Sequence, residues 1–324
     1  MQQYILRRSL LNVVVLLLVA TMVFLVLRID PDNVIRNRAQ GCQMDTYEEC
    51  TRVAKQELGL DKPLYEQYVD YMTDIARLDF GKSFYTKESV IQQIKDRAGP
   101  SIELGLLQII VALVVALPVG IISAIRQDTW LDYILRFVAI AFLGIPVFIM
   151  AVFVILATAR FAGGTFLPDW FGPDTVWTDF FDDPVENMRR MTGPAILGGL
   201  GTGAIIMRFL RSQMLEVLRQ DYVRTAWSKG LRERVIVMRH ALKNALIPVL
   251  TVVGLLLGAI VSGNVILETL YNIPGIGFFT VNAIRQSDYP LVQGLVLVVA
   301  VSLVFVNLMV DVAYAWLDPR IRYS

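Results

Sequence analysis

Few residues of this chain could take part in chemistry. Its 324 residues include one histidine, His240, and two cysteines, Cys42 and Cys50. Two cysteines and one histidine cannot build a common Cys/His zinc site, and a lone histidine in a basic stretch argues against a Ser-His-Asp or Cys-His centre. The triplet Gly81-Lys82-Ser83 could end a Walker A motif, but that motif needs a further glycine where Ala76 stands. We therefore expect no metal, no cofactor and no catalytic site in this chain.

The chain is instead built around long apolar stretches, since 55% of its residues are hydrophobic. A helix needs about 17–25 apolar residues to cross the roughly 30 Å of hydrocarbon in a bilayer. Six charge-free stretches meet this length: 9–27, 104–125, 137–159, 191–207, 244–267 and 289–310. They lack the period-two alternation of membrane β-strands. The sequence therefore predicts an all-α membrane protein with six transmembrane helices, the first an uncleaved anchor because no small-residue cleavage site follows it.

Charge predicts the orientation of these helices. With the N-terminus inside, the inner segments contain 15 basic and 7 acidic residues, whereas the outer segments contain 15 basic and 22 acidic residues. Because basic residues concentrate in cytoplasmic loops, we expect both termini in the cytoplasm. The chain then divides into an N-terminal end with the first helix, a large extracytoplasmic segment and a core, at 1–27, 28–103 and 104–324.

The extracytoplasmic segment shows two features. Apolar residues in 64–75 and in 90–94 recur at helical spacing, which predicts two amphipathic helices joined by a turn at 79–83. Cys42 and Cys50 also lie in this segment. An outer compartment permits a disulfide between them, and two unpaired thiols are the alternative.

Two prolines and two pairs of glycines within the predicted spans bear on helix shape. Pro118 and Pro146 each remove a backbone donor and can kink a membrane helix, although a mild bend is the commoner result. A spacing of four residues between glycines lets two helices approach closely, and it occurs twice, at Gly199 and Gly203 and at Gly254 and Gly258. These residues predict packing and no chemistry.

A basic segment, residues 208–247, separates the fourth and fifth spans. Between 208 and 243 it holds nine basic and three acidic residues. Each Arg or Lys at the centre of a bilayer costs roughly 2.5–3.5 kcal/mol on insertion scales, so this segment must lie in water. Gly230 can end a helix in the left-handed conformation, which divides the segment into a short helix and a second helical piece at 231–247. The short helix could fill a partner's groove, or the segment could be a solvated loop near anionic lipid.

A second polar stretch follows the fifth span. Pro274 and Gly275 form a turn dipeptide in which the glycine takes the positive φ. Apolar neighbours suggest that this turn tucks back toward the membrane, where irregular backbone survives only against protein or a water-filled cavity. Asn264 and Glu268 share a helix face that could line a pathway, or Glu268 could mark a helix end in water. We interpret these four residues as candidates for an outer gate or pore.

Motifs along the whole chain carry a resemblance to a known family. Ala226 and Gly230, followed by Arg239-His240 and Asn244-Ala-Leu-Ile-Pro248, resemble the signature loop of ABC-importer permeases. The chain is most similar to the dipeptide/oligopeptide/nickel family, in its first-permease branch. Further matching motifs are LGLDKP with QY at 58–68, DFGKS at 79–83, GIP at 144–146, ETLYNIPGIG at 268–277, DYPLVQG at 288–294 and LDPRIRY at 317–323.

Some parts of the chain depart from the family's pattern. Residues 28–57 and much of 160–190 lack a match. Arg224-Thr225-Ala226 stands where the general importer pattern has Glu-Ala-Ala, as is usual in this branch, and Trp227 replaces a basic residue. The replacement at Trp227 concerns the details of docking.

The resemblance implies a division of labour between subunits. The chain would form half of a membrane pore with a second, homologous permease subunit, surrounded by membrane lipid. Two cytoplasmic ABC ATPases would bind the short helix within Tyr222 to Arg232, and an extracytoplasmic solute-binding protein would deliver the substrate. Lacking a nucleotide motif, the chain would hydrolyse nothing alone, and it would bind no nucleic acid. The implied coupling residues are Tyr222, Arg224, Thr225, Ala226, Lys229, Gly230, Arg239 and His240.

The implied function is ATP-driven import of dipeptides or oligopeptides across a prokaryotic inner membrane. Nickel chelates and oligosaccharides are alternative substrates for permeases of this family. An ion channel or ion-coupled carrier, a different class, would place paired charges within its spans. A structural or enzyme-anchoring membrane protein would leave the basic segment without a role.

Overall fold

The structure, a computed structural model, describes residues 2–29, 35, 47–57, 59–160, 171–173, 177–260 and 263–317. Over these residues the regular elements are helices, together with one antiparallel bridge between Lys82 and Ser89. This confirms the predicted all-α class. In chain order the elements are α1 Gln2–Ile29, α2 Tyr47–Glu57, α3 Leu64–Ala76, α4 Val90–Ile125, α5 Trp130–Gly144, α6 Val147–Arg160, α7 Pro184–Leu218, α8 Asp221–Ser228, α9 Glu233–Val235, a π-helical turn π1 Ile236–Ala241, α10 Leu242–Ile260, α11 Val265–Leu270, α12 Ile276–Arg285 and α13 Tyr289–Leu317.

Five helical stretches in the described part of the chain are long and apolar enough to cross a membrane. They are Arg7–Val26, Val90–Ile125, Pro184–Leu218, Glu233–Gly258 and Tyr289–Val310. A sixth span arises if α5 and α6 are counted together, because the two helices meet the same criteria as a pair. The six predicted spans thus correspond to five long helices and one bent pair.

The stretch 137–159, predicted as one helix, is broken. α5 and α6 meet at an angle of 95°. Ile145 between them is extended, with φ −89° and ψ 116°, because the ring of Pro146 disfavours a helical residue before it. Pro118 carries the same sequence signal, yet it lies inside the continuous helix α4. Only one of the two predicted kink sites therefore interrupts a helix.

The described residues form two compact units, and the first combines residues up to 99 with residues from 275 onward. Within it, α1 contacts α13 and α3. Phe24 of α1 is 1% exposed and packs on Tyr68 and Tyr71 of α3, with ring centroids 5.1 and 5.4 Å apart. Such aromatic pairs add about 0.5–1.5 kcal/mol to the burial of the rings.

The first turns of α4 supply a second core of this unit. Val90 and Ile94 were assigned to a second amphipathic helix, but they begin the long helix α4 and no separate helix exists there. The prediction of a separate amphipathic helix is therefore right for α3 alone. The buried residues of this core are Val90, Ile94, Ile276, Ala283, Leu291 and Leu295.

The turn at 79–83 is held by two carboxylates. Gly81 has φ +74°, and its N–H donates to Asp79 Oδ1 at 2.9 Å. Ser83 donates its hydroxyl proton to the carboxylate of Asp288, and both residues are buried. The N–H of Phe84 donates to the same carboxylate at 3.2 Å. Two motifs that lie 205 residues apart in the chain thus meet in one hydrogen-bonded contact.

The second unit comprises residues 100–274, and α7 contacts α5, α6 and α10 within it. Asp183 caps the start of α7, its carboxylate accepting two backbone N–H bonds at 3.1 Å. A Cβ on Gly199 would lie 2.7 Å from Val111, and one on Gly203 would lie 3.2 Å from the carbonyl oxygen of Ala112. The two glycines therefore allow α7 and α4 to approach closely, as their spacing predicts.

Candidate functional site

Helix α8, within the basic segment, buries one side and exposes the rest. Val223 is fully buried and Ala226 is 5% exposed, and both pack against Ile236. Their spacing of three residues places them on one face of the helix. Tyr222 and Trp227 are 43% and 48% exposed. Two small side chains thus anchor α8, while most of its length stays open.

Gly230 ends α8 in the left-handed region, as predicted, with φ +72°. Its N–H donates to the carbonyl of Trp227 at 2.9 Å, and the N–H of Leu231 donates to the carbonyl of Ala226 at 3.4 Å. This pair of bonds is a Schellman motif, which satisfies carbonyls at the helix end. A Cβ at Gly230 would meet nothing within 4 Å among the described residues. Backbone conformation, and not space, therefore requires glycine here.

The return from α8 to α10 is helical from Glu233 onward, as predicted for 231–247, but part of it has π and not α geometry. It contains the short helix α9 and then π1, which carries the exposed Arg239 and the half-buried His240. The side-chain amide of Asn244 donates to the carbonyl of His240 at 3.0 Å and to the hydroxyl of Tyr222 at 2.8 Å. This amide links α8 to the start of α10. π turns are rare and often occur at functional sites.

The other predicted coupling residues lie at the surface. Arg224, Thr225, Lys229 and Gly230 are all exposed. Arg224 pairs with Asp221 at 3.6 Å, but both side chains are more than 70% exposed, so the pair contributes little to stability. Ala226 is the buried member of the eight predicted residues, and it anchors the helix instead of facing solvent.

A buried ion pair joins α5 to α7, and the sequence patterns did not indicate it. Asp132 is 0% exposed and accepts hydrogen bonds from Arg211 Nη2 at 2.8 Å and Nε at 3.0 Å. Ser123 of α4 donates to the same carboxylate, and Arg136 Nε lies 3.4 Å from it. Bidentate pairs of this kind fix geometry as well as adding energy. One sequence signal could have indicated this pair: Asp132 stands just before the apolar stretch 137–159, and Arg211 stands just after the next apolar stretch, 191–207.

Glu268 lies in the separate helix α11 and not at the end of the fifth span. It is 0% exposed, so the alternative that it marks a helix end in water is wrong. Its Oε1 accepts hydrogen bonds from the hydroxyl of Ser101 at 2.8 Å and from the N–H of Asn264 at 3.0 Å. Asn264 in turn caps α11, its Oδ1 accepting from the N–H of Leu267 at 3.2 Å. The two side chains hold the first turn reciprocally, much as in a capping box.

The turn after α11 is made at Asn272 and not at Pro274-Gly275. Asn272 has φ +55°, and the N–H of Ile273 donates to the carbonyl of Glu268 at 2.9 Å. Gly275 has φ −91° and precedes α12, so the predicted positive φ at this glycine is wrong. Asparagine tolerates the left-handed conformation and can end a helix as glycine does.

The predicted disulfide falls partly outside the described residues. Cys50 is buried in α2, at 4% exposure. Cys42 lies outside the described part of the chain. The pairing of the two cysteines stays a prediction.

Two protein-family models match the chain. One is described as a binding-protein-dependent transport system inner membrane component and matches residues 116–323. The other is described as the N-terminal part of a binding-protein-dependent transport system membrane component and matches residues 1–105. The matches together include the candidate coupling and gate residues.

Three relatives are similar over most or all of the chain. The dipeptide transport system permease protein DppB of Alkalihalophilus pseudofirmus is 36% identical, and the match covers 100% of both chains. The glutathione transport system permease protein GsiC of Shigella flexneri is 32% identical, also over 100% of both. The probable D,D-dipeptide transport system permease protein DdpB of Escherichia coli is 37% identical over 82% of this chain and 83% of that protein. The chain therefore belongs to the family of inner-membrane permease components of binding-protein-dependent transport systems.

Proposed function

We propose that the chain is the peptide-conducting subunit of an ATP-driven importer and that it receives the motion of separate ATPases through α8. The observation that carries this proposal is the form of α8. Its eight residues stand outside the main core: Val223 and Ala226 pack against Ile236, Tyr222 accepts a bond from Asn244, and most of the other side chains are exposed. An exposed short helix is a shape that a partner's groove can accept.

Peptides are the substrate class that the relatives favour. The three relatives described above are named for dipeptides, D,D-dipeptides and glutathione, all of which are short peptides. Nickel chelates and oligosaccharides, the alternatives that the family resemblance left open, are absent from these names. We therefore assign short peptides to this chain.

The partners follow from the family. A component of a binding-protein-dependent transport system works with a solute-binding protein, and an ABC importer of this kind also implies ATPases. We place α8 and both termini in the cytoplasm, because the basic residues concentrate there under the positive-inside rule. The pore is completed by a second, homologous permease subunit, and the binding protein delivers peptide from the opposite side.

The segment from Asn264 to Gly275 is proposed as the outer gate. Glu268 fixes the start of α11, and Asn272 turns the chain after it, so that the segment is ordered although it is not part of a long helix. Irregular backbone at membrane depth needs hydrogen-bond partners within the protein, because no water is available there. Closing and opening would then move α11 as one body.

The proposal is tested by purifying the tagged chain from its native membrane in mild detergent. We expect two ATPases and a second permease to co-purify and ATP hydrolysis to be vanadate-sensitive. Proteoliposomes that hold this complex should take up radiolabelled trialanine when the binding protein and ATP are supplied. A chain that purifies alone, without ATP hydrolysis, would contradict the proposal and would make conductance the next measurement.

A further inference from the structure

A cavity of about 350 Å³ lies within the second unit, lined by residues of α4, α7, α10 and the start of α11. None of the ten described residues that line it is charged. Its polar side chains are Ser101, Gln108, Thr202 and Asn264. The volume lies within the range of small-ligand sites, roughly 300–1,000 Å³.

Gln108 lines this cavity, and its side-chain amide has an unused hydrogen-bond donor. Its Nε2 is buried and has no hydrogen-bond partner among the described residues. Native proteins seldom leave a buried amide unpaired, because it loses its bonds to water without replacement. The backbone of α7 leaves room for this side chain, since a Cβ on Gly198 would lie 2.6 Å from Gln108 Cδ. The unpaired donor indicates a ligand that supplies an acceptor.

Two of the other polar residues that line the cavity are already fixed by bonds within the protein. Ser101 donates to Glu268, and Asn264 caps α11 while its N–H donates to the same carboxylate. Glu268 itself is fully buried and does not line the cavity. The wall is therefore held in place before a ligand arrives, which lowers the entropic cost of binding.

We propose that this cavity binds the main-chain amide of a peptide in transit, with Gln108 donating to a peptide carbonyl oxygen. The inference rests on the proposed function and adds the chemical group that is recognised. A charge-free lining neither attracts nor repels charged side chains of the substrate, whereas the amide group is common to all peptides. The site would thus accept peptides of different sequence.

The test uses the complete transporter in proteoliposomes, with its co-purified partners, binding protein and ATP. Gln108→Met keeps the length of the side chain and removes the donor. We expect initial uptake of trialanine to fall about tenfold, because the peptide carbonyl is left without its partner. Gln92→Met is the matched control, since Gln92 is an exposed residue of the same helix and lies outside the cavity. It should keep wild-type uptake.

A second experiment separates the loss of binding to the peptide carbonyl from a nonspecific loss of transport activity. In a trialanine analogue one amide is replaced by an ester, which has a weaker carbonyl acceptor. If Gln108 binds that carbonyl, the amide-to-ester change should lower uptake more in the wild type than in Gln108→Met. The binding protein meets the same two substrates in both cases, so its own preference cancels in the comparison.

The outcomes distinguish the inference from the proposed function. An amide-to-ester ratio that is the same in the wild type and in Gln108→Met overturns the inference and leaves peptide transport standing. A wild-type complex that takes up no trialanine contradicts the proposed function and the inference together. If Gln108→Met fails to assemble, Gly198→Ala replaces it, because the new methyl group displaces Gln108 while its amide is kept. A wild-type ratio in Gly198→Ala then overturns the inference.

Discussion

Two short helices flank α10 in the chain, and they are held in opposite ways. α8, on one side of α10, is anchored by Val223 and Ala226 and is otherwise exposed. α11, on the other side, is fixed through Glu268, which is fully buried and accepts bonds from a distant hydroxyl and a nearby N–H. A helix that must meet a partner keeps its surface open, whereas a helix that must hold its shape is tied inward.

Inward bonds should therefore matter for stability, and exposed side chains should matter for coupling. Loss of a tie in α11 leaves buried donors unpaired and should lower stability. Loss of an exposed side chain of α8 should leave stability almost unchanged and should act on the partner. Four variants test this contrast, and each should lower the free energy of unfolding less than the one before it.

Glu268→Ala should be the most damaging change. It leaves the hydroxyl of Ser101 and the N–H of Asn264 without their acceptor, at a cost of about 3 kcal/mol. Thermal unfolding of the purified protein should show a midpoint lower by about 5 °C. Glu268→Gln keeps an acceptor oxygen and should lose less than half as much. Equal losses in the two variants would mean that the bonds to Glu268 do not hold α11.

Gly230→Val should rank second. The side chain finds open space, so the cost comes from a β-branched residue at φ +72° and amounts to about 1–2 kcal/mol. The displaced helix end should uncouple ATP hydrolysis from peptide uptake in proteoliposomes. Gly230→Asn tolerates this conformation and should stay coupled. Wild-type coupling in Gly230→Val would show that the end of α8 does not transmit motion.

Val223→Ala should loosen α8 without unfolding the protein. The lost methyl groups cost about 1 kcal/mol at a fully buried site. Hydrogen exchange of the α8 amides should become faster while the amides of α7 keep their rates. Val265→Ala in α11, where the side chain is 40% exposed, is the matched control and should change neither. Unchanged exchange in α8 would show that Val223 does not anchor the helix.

Arg224→Ala should leave stability unchanged, because its ion pair with Asp221 is exposed. Its effect should appear as weaker binding of the ATPase subunits, measured by co-purification at rising salt. Arg189→Ala removes another exposed arginine, near the start of α7 and far along the chain from α8, and should not weaken that binding. Equal weakening by both variants would argue against a specific contact at α8.

The sequence predicted the features that depend on local chemistry. Gly230 was assigned a left-handed helix end from its position alone, and the Schellman bonds confirm it. Gly199 and Gly203 were assigned a close helix contact, which is also confirmed. A helix cap or a missing Cβ acts on its immediate surroundings, so its effect can be inferred from a few residues.

The sequence did not predict features that depend on distant partners. Glu268 is buried, and its carboxylate is satisfied by Ser101, which lies 167 residues away in the chain. The turn predicted at Pro274-Gly275 forms at Asn272 instead, because the N–H of Ile273 donates to the carbonyl of Glu268 and closes the turn there. Pro118 and Pro146 look alike in sequence, but only the second stands where one helix ends and another begins. Tertiary packing decides each of these cases.

The π-helical turn π1 places one extra residue in the connection between α8 and α10. A π turn holds about one residue more than an α turn, because its hydrogen bonds span five residues instead of four. Relaxing π1 into α geometry would lengthen the helix by about 1.5 Å. Spin labels on α8 and α10 would register this as a step of that size during ATP hydrolysis. The change in distance between α8 and α10 would then equal the rise of a single residue, and it would occur without breaking a helix.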